Sequence, residues 1–204
     1  MSLDTALARI ASLQTMLQPQ PVQPAVPQTA TQFSSALQGA NASPAAGMIP
    51  SATATSAPGT PAGQAILNAI RPEVGQAEQP PGSNDSPRIA QYRQATAGSG
   101  VGPWCAYFVS WAARQAGVPI GDSGQGFGRV DDVFAWAQKT GKSLPAGSTP
   151  SAGDLIVWDE HIGVVESVDP DGTIHTIEGN SSDQVSQRTY GSDGGGAVGY
   201  VRLG

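Results

Sequence analysis

The fold turns on Gly102-Pro-Trp-Cys-Ala-Tyr-Phe-Val-Ser-Trp111, which holds the single cysteine of the sequence, Cys105. A Gly-Pro pair cannot be carried backwards into a helix, so this spacing predicts a helix starting at Trp104 or Cys105. Phe108, Trp111, Ala112 and Ala116 recur at helical spacing, and Gly117-Val-Pro119 ends the run. A thiol in a first turn lies beside unpaired backbone N–H groups and the positive end of the helix dipole. Both favour thiolate, the form that attacks carbonyl carbon. The competing expectation is a small apolar residue packed in a core helix, and the choice between them rests on the histidines downstream.

The 204 residues carry a net charge of -6, which argues against nucleic acid, whose phosphates demand a basic face. One cysteine permits no internal disulfide. No apolar run approaches the roughly 20 residues of a membrane span. The start, Met1-Ser-Leu-Asp-Thr-Ala-Leu-Ala-Arg9, lacks the basic-then-apolar pattern of an ordinary secretory signal.

Along the chain, Leu3, Leu7, Ile10, Leu13 and Leu17 form one apolar stripe, so residues 1–17 read as a short amphipathic helix. Residues 18–63 are rich in Pro, Ala, Gln, Ser and Thr and carry no charge, the composition of a disordered linker. Residues 64–204 read as the folded domain. Its first helix, Gln64 onward, meets Pro72 and is expected to kink or split there; short helices follow near Arg88 and over 130–140. The period then changes. Asp154-Leu-Ile-Val-Trp158, Ile162-Gly-Val-Val-Glu-Ser-Val168, Thr173-Ile-His-Thr-Ile-Glu178 and Val198-Gly-Tyr-Val-Arg-Leu203 are short strand-like runs. Asp169-Pro-Asp-Gly172 is a hairpin turn. Helices first and a hairpin-linked sheet second give an α+β fold with a mainly antiparallel sheet.

His161 stands where a turn enters a strand, and His175 lies inside the next strand. Alternation sets Glu178 and Asn180 on the face opposite His175. If the neighbouring strand carries His161 over that face, either Glu178 or Asn180 can orient its imidazole, with Cys105 approaching from the packed helix. The chemistry of such a set is attack by sulfur on an amide carbonyl, with His161 as base and acid and a third group holding the ring. The backbone N–H of Cys105 is one expected oxyanion donor, and the loop with Gln79, Ser83 and Asn84 is the expected source of another. Trp111, Trp136 and Trp158 read as core. Nothing resembles a calcium loop, so neither metal nor cofactor is expected.

Trp104-Cys-Ala-Tyr-Phe-Val-Ser-Trp111, Gly153-Asp-Leu-Ile-Val-Trp158, His161-Ile-Gly-Val-Val165 and Ile177-Glu-Gly-Asn180 together resemble the CHAP domain, the cysteine/histidine-dependent amidohydrolase/peptidase family of the papain-like group. The resemblance covers about residues 65–204. It implies cleavage of an amide bond in bacterial peptidoglycan, with Cys105 as nucleophile, His161 as base and acid, Glu178 as orienting residue and Asn180 as a supporting fourth. Relatives include N-acetylmuramoyl-L-alanine amidases and stem-peptide or cross-bridge endopeptidases, and the motifs fit both. Transfer to an amine in place of water is equally compatible.

The Leu7-Ala-Arg-Ile-Ala-Ser-Leu13 helix and Phe33-Ser-Ser-Ala-Leu37 are similar to leaders of flagellum-associated wall hydrolases. That likeness implies an export or flagellar partner bound through residues 1–40 and an extracytoplasmic site of action. The expected state is a monomer. The rival from another class is a non-catalytic wall-binding or assembly module of the same fold, against which the intact Cys105, His161 and Glu178 set speaks.

Overall fold

A computed structural model describes residues 59–204. The amphipathic helix expected over 1–17, the linker up to residue 58 and the export segment over 1–40 lie outside the described residues.

Order at the domain's start comes from Thr60-Pro61. The Thr60 hydroxyl accepts from Gly63 N–H at 2.9 Å and donates to the Leu203 carbonyl at 2.8 Å, while proline occupies the first turn, where no N–H is needed. Helix α1 therefore runs Pro61–Ile70, three residues earlier than the boundary expected at Gln64. Pro72 ends it as expected, and the chain continues as a 3-10 turn, Arg71–Glu73. Helix α2, Pro87–Arg93, is capped by Ser86. Helix α3, Cys105–Gln115, carries the cysteine in its first position, and α4 spans Val130–Lys139.

Six strands follow: β1 Ser143–Pro145, β2 Leu155–Val157, β3 Ile162–Val168, β4 Ile174–Glu178, β5 Ser186–Tyr190 and β6 Gly199–Val201. They form one sheet in the order β1-β6-β2-β3-β4-β5, with every pairing antiparallel. The expected α+β class with helices on an antiparallel sheet is what the chain adopts. Two strands escaped the sequence reading, and both lie at the sheet's edges. β1 contains a proline, and β5 is Ser-Gln-Arg-Thr-Tyr with an exposed middle, so neither shows an apolar period.

The sheet buries both faces. On one side Leu155, Val157, Ile162, Val164, Ile177 and Val201 share one buried cluster with helix residues that include Phe108, Val109 and Ala112 of α3. On the other, Ile156, Val165, Ile174 and Tyr200 pack with Ala197 and Trp158. Helix α3 is buried from Cys105 to Ala113, so its position against the sheet is set by close packing and not by surface contacts.

Helix α3 approaches the sheet backbone closely at Gly179, just past β4. A Cβ built there would stand 2.6 Å from Phe108 Cβ and 2.7 Å from its Cγ, and Phe108 is wholly buried. Gly179→Ala must push α3 away from the sheet, and the expected cost is about 2 kcal/mol of stability. A urea titration followed by tryptophan fluorescence checks this; an unchanged midpoint would contradict the contact.

Candidate active site

Three elements bring the expected residues together. Cys105 opens α3; the Trp104 side chain provides no cap for that helix, which leaves its first-turn N–H groups to water or a ligand. His161 ends the tight turn Trp158-Asp-Glu-His161, closed by Trp158 N–H donating to the His161 carbonyl at 2.8 Å. Glu178 is the last residue of β4, beside β3.

His161 Nε2 lies 2.9 Å from Glu178 Oε2. With Nε2 so committed, Nδ1 is the ring nitrogen left for the hydrogen bond between His161 and the Cys105 side chain. The other carboxylate oxygen, Glu178 Oε1, accepts from Thr176 Oγ1 at 2.6 Å and from the Tyr190 hydroxyl at 2.9 Å. Both oxygens of a buried carboxylate are thus matched to donors, the condition under which such a charge is tolerated. Gly163 makes room for it: a Cβ there would come within 2.6 Å of Glu178 Cγ.

These contacts set the protonation states. Burial is the largest influence on His161 and acts to lower its pKa. The hydrogen bonds to Cys105 and Glu178 and the charges of both outweigh it, and the imidazole is raised to about 9 from 6.5. Burial likewise pushes the Glu178 carboxyl up. The bonds from His161, Thr176 and Tyr190, together with the imidazolium charge, reverse that and hold it below its ordinary value. At neutral pH the pair is therefore imidazolium and carboxylate.

Trp158 is the site residue that the sequence reading assigned to the core. Its indole stacks on the His161 ring, with centroids 5.5 Å apart and planes 29° from parallel. Its Nε1 donates to the Gly194 carbonyl at 2.9 Å, and Tyr190 packs against it at 5.1 Å. The indole shields one face of the imidazole and its π-cloud favours the charged ring. The only signal in the sequence was its spacing, three residues before a histidine across a turn.

Asn180 does not reach His161. Regular alternation would have carried its side chain to the Glu178 face, but β4 ends at Glu178 and Asn180 adopts φ 56°, the left-handed region that asparagine tolerates. Its side chain turns instead to the start of α3. Oriented so that both amide ends find partners, its oxygen accepts from Trp104 N–H at 3.2 Å and its nitrogen donates to Glu78 Oε1 at 3.3 Å.

The loop expected to supply a second oxyanion donor is held by hydrogen bonds within residues 78–85. Gln79 N–H and Ser83 Oγ both donate to the Asp85 carbonyl, and Asn84 N–H donates to Glu78. His175 stands apart, with Nε2 2.9 Å from Asp169 Oδ2 and Nδ1 3.2 Å from Thr189 Oγ1.

Cys105 lines an open cleft of about 480 Å³ between the start of α3, the Gly128–Asp131 segment and the Asp159-Glu160 turn. Tyr107 is its one aromatic wall, and Arg129, Asp131, Asp159 and Glu160 are its charged ones. Among the described residues, no group of three or more His, Cys, Asp or Glu side chains is arranged to hold a metal ion. No described helix is long and apolar enough to cross a membrane. A sulfur, an imidazolium and a carboxylate in hydrogen-bonded series at a cleft can add sulfur to a carbonyl carbon and return a proton to the departing nitrogen.

Residues 96–180 match the model of the CHAP domain. No curated protein matches the chain. Among solved structures, that of the peptidoglycan hydrolase RipB from Mycobacterium tuberculosis is similar at 17% identity and a TM-score of 0.43, over 89% of this chain and 90% of that one.

Proposed function

Residues 96–180 are a CHAP domain, of the cysteine/histidine-dependent amidohydrolase/peptidase family, and from that premise we propose that the chain hydrolyses an amide bond of bacterial peptidoglycan, outside the cytoplasm. The observation that carries the reading is the His161–Glu178 hydrogen bond with the Cys105 side chain near enough to raise the imidazole, the sulfur lining an open cleft. In this reading the folded unit from Thr60 to Gly204 is the catalytic domain.

Cys105 sulfur adds to the amide carbonyl, and the first-turn N–H groups of α3 receive the developing oxyanion. His161 Nδ1–H then gives its proton to the leaving amine, which departs and leaves a thioester. Water, deprotonated by the now neutral imidazole, adds to that thioester and frees the acid and the thiolate. Glu178 holds the ring throughout and stabilises its charged form.

The walls of the cleft favour binding through the peptide part of the polymer. Three carboxylates and one guanidinium suit the amines and carboxylates of a stem peptide, whereas sugar rings call for stacked aromatic platforms and Tyr107 alone is offered. We therefore place the stem-peptide or cross-bridge bond ahead of the N-acetylmuramoyl-L-alanine bond.

Digestion of purified peptidoglycan, with products read by mass, tests both levels. New amino groups within stem or cross-bridge peptides are the expected result. Whole stem peptides with a free N-terminal alanine would instead identify an amidase. New reducing sugar ends, or no soluble product from a folded chain, would sink the proposal.

A further inference from the structure

Glu78 is a buried carboxylate that the chemistry above does not use. It is 3% exposed, and every partner of its side chain is a neutral donor. Oε1 accepts from Trp104 Nε1 at 2.9 Å and from the Asn180 amide at 3.3 Å, and Oε2 accepts from Asn84 N–H at 2.8 Å. No ion pair with Glu78 occurs among the described residues. A polar group taken out of water is tolerated only with its partners in place, so what it holds matters.

It holds the residue before the nucleophile. Trp104 is the N-cap of α3, with its indole on Glu78 and its backbone N–H on Asn180. Asn180 in turn is two residues past Glu178, the residue that holds His161. The tripeptide Glu178-Gly179-Asn180 therefore grips the imidazole with its first residue and the start of α3 with its third. Its middle residue lets Phe108 of α3 touch the backbone. Glu78 closes this frame by binding Asn180 and Trp104 through one oxygen.

We infer that Glu78 is a positioning residue: through Trp104 and Asn180 it fixes the start of α3 against the Glu178–His161 pair, and so sets the approach of the Cys105 sulfur to the imidazole. The inference rests on Cys105 and His161 forming the reacting pair. A small displacement of such a pair is enough to cost one to two orders of magnitude in rate.

Alkylation of the full chain reads this directly, because Cys105 is the only thiol. An imidazolium beside the sulfur attracts anionic iodoacetate over neutral iodoacetamide, relative to glutathione as a free-thiol reference. Unfolded chain presents Cys105 as a free thiol and draws the ratio toward that of glutathione, so the ratio is read only on chains whose circular dichroism and urea transition show them folded. Glu78→Ala is expected to cut the iodoacetate preference at least about fivefold. Glu78→Gln, whose oxygen still accepts from Trp104 and Asn180, is expected to keep it within about twofold.

Should Glu78→Ala not fold, Asn180→Asp sets two carboxylates together and is expected to lose the preference. Adding Glu78→Gln removes the repulsion between the two carboxylates and restores part of it. A folded Glu78→Ala chain with the wild-type ratio, or a double variant no better than Asn180→Asp, overturns the inference alone. A wild-type ratio that His161→Ala leaves unchanged overturns the Cys105–His161 pair itself, and the inference with it.

Discussion

Cys105→Ala is expected to keep the fold and to lose peptidoglycan hydrolysis by at least about 10⁴-fold, the scale seen when a covalent nucleophile is removed. The sulfur is one atom in a helix whose packing is carried by Phe108, Val109 and Ala112, so its loss should cost about 1 kcal/mol of stability. Cys105→Ser separates nucleophile from filler. Serine nearly preserves volume and a donor toward His161, but its hydroxyl is far harder to ionise than a thiol and so is a much weaker nucleophile. Both variants should therefore be inactive while still unfolding cooperatively, with midpoints lowered by no more than about 1 kcal/mol accounts for, judged by released peptides and a urea titration run side by side. Serine activity within tenfold of wild type would mean that sulfur chemistry is not what the site performs.

The cysteine's place was legible because everything that fixes it is local. A Gly-Pro break, a helical period and a closing Gly-Val-Pro lie within eighteen residues, and α3 begins at Cys105 as that pattern requires. The pairing of β3 with β4 was legible too, since the Asp169-Pro-Asp-Gly172 turn sets a hairpin and Glu178 then falls beside β3 near His161.

What could not be read depends on partners distant in sequence or on a single dihedral angle. Trp158 looked like core because a stacking partner appears only once the Asp159-Glu160 turn folds back. Asn180 was placed by alternation, and one residue in the left-handed region redirected it to Trp104. Glu78 sits in a polar loop with no period at all, and its donors come from residues 84, 104 and 180. Edge strand β5 is polar on its exposed positions, yet it delivers Tyr190 to Glu178. The candidate residues Cys105, His161 and Glu178 were visible in the sequence; the frame that surrounds them was not.

That frame carries charge as well as geometry, and Glu178→Gln separates the two. The glutamine oxygen can accept from His161 Nε2–H as the carboxylate does, and the hydroxyls of Thr176 and Tyr190 can rotate to accept from its NH₂. The ring stays oriented while the negative charge is gone. In the wild type His161 titrates at about 9 in the folded chain, against 6.5 for a free imidazole, and the Glu178 charge is one of the contributions raising it. The reactive form needs the protonated ring, so wild-type activity should fall as pH rises through about 9. Without the carboxylate the folded value drops toward 6.5, the basic limb moves to lower pH, and the rate at neutral pH falls about 100-fold or more.

Stability must follow the same sign. A group whose folded pKa is raised contributes stabilisation that is fully present below 6.5 and is lost as pH climbs to about 9. Wild-type unfolding midpoints should therefore decline across that window, and those of Glu178→Gln should decline less. Rate–pH and midpoint–pH curves for both chains decide it. A basic limb that stays in place in Glu178→Gln would show that the carboxylate holds the ring without charging it.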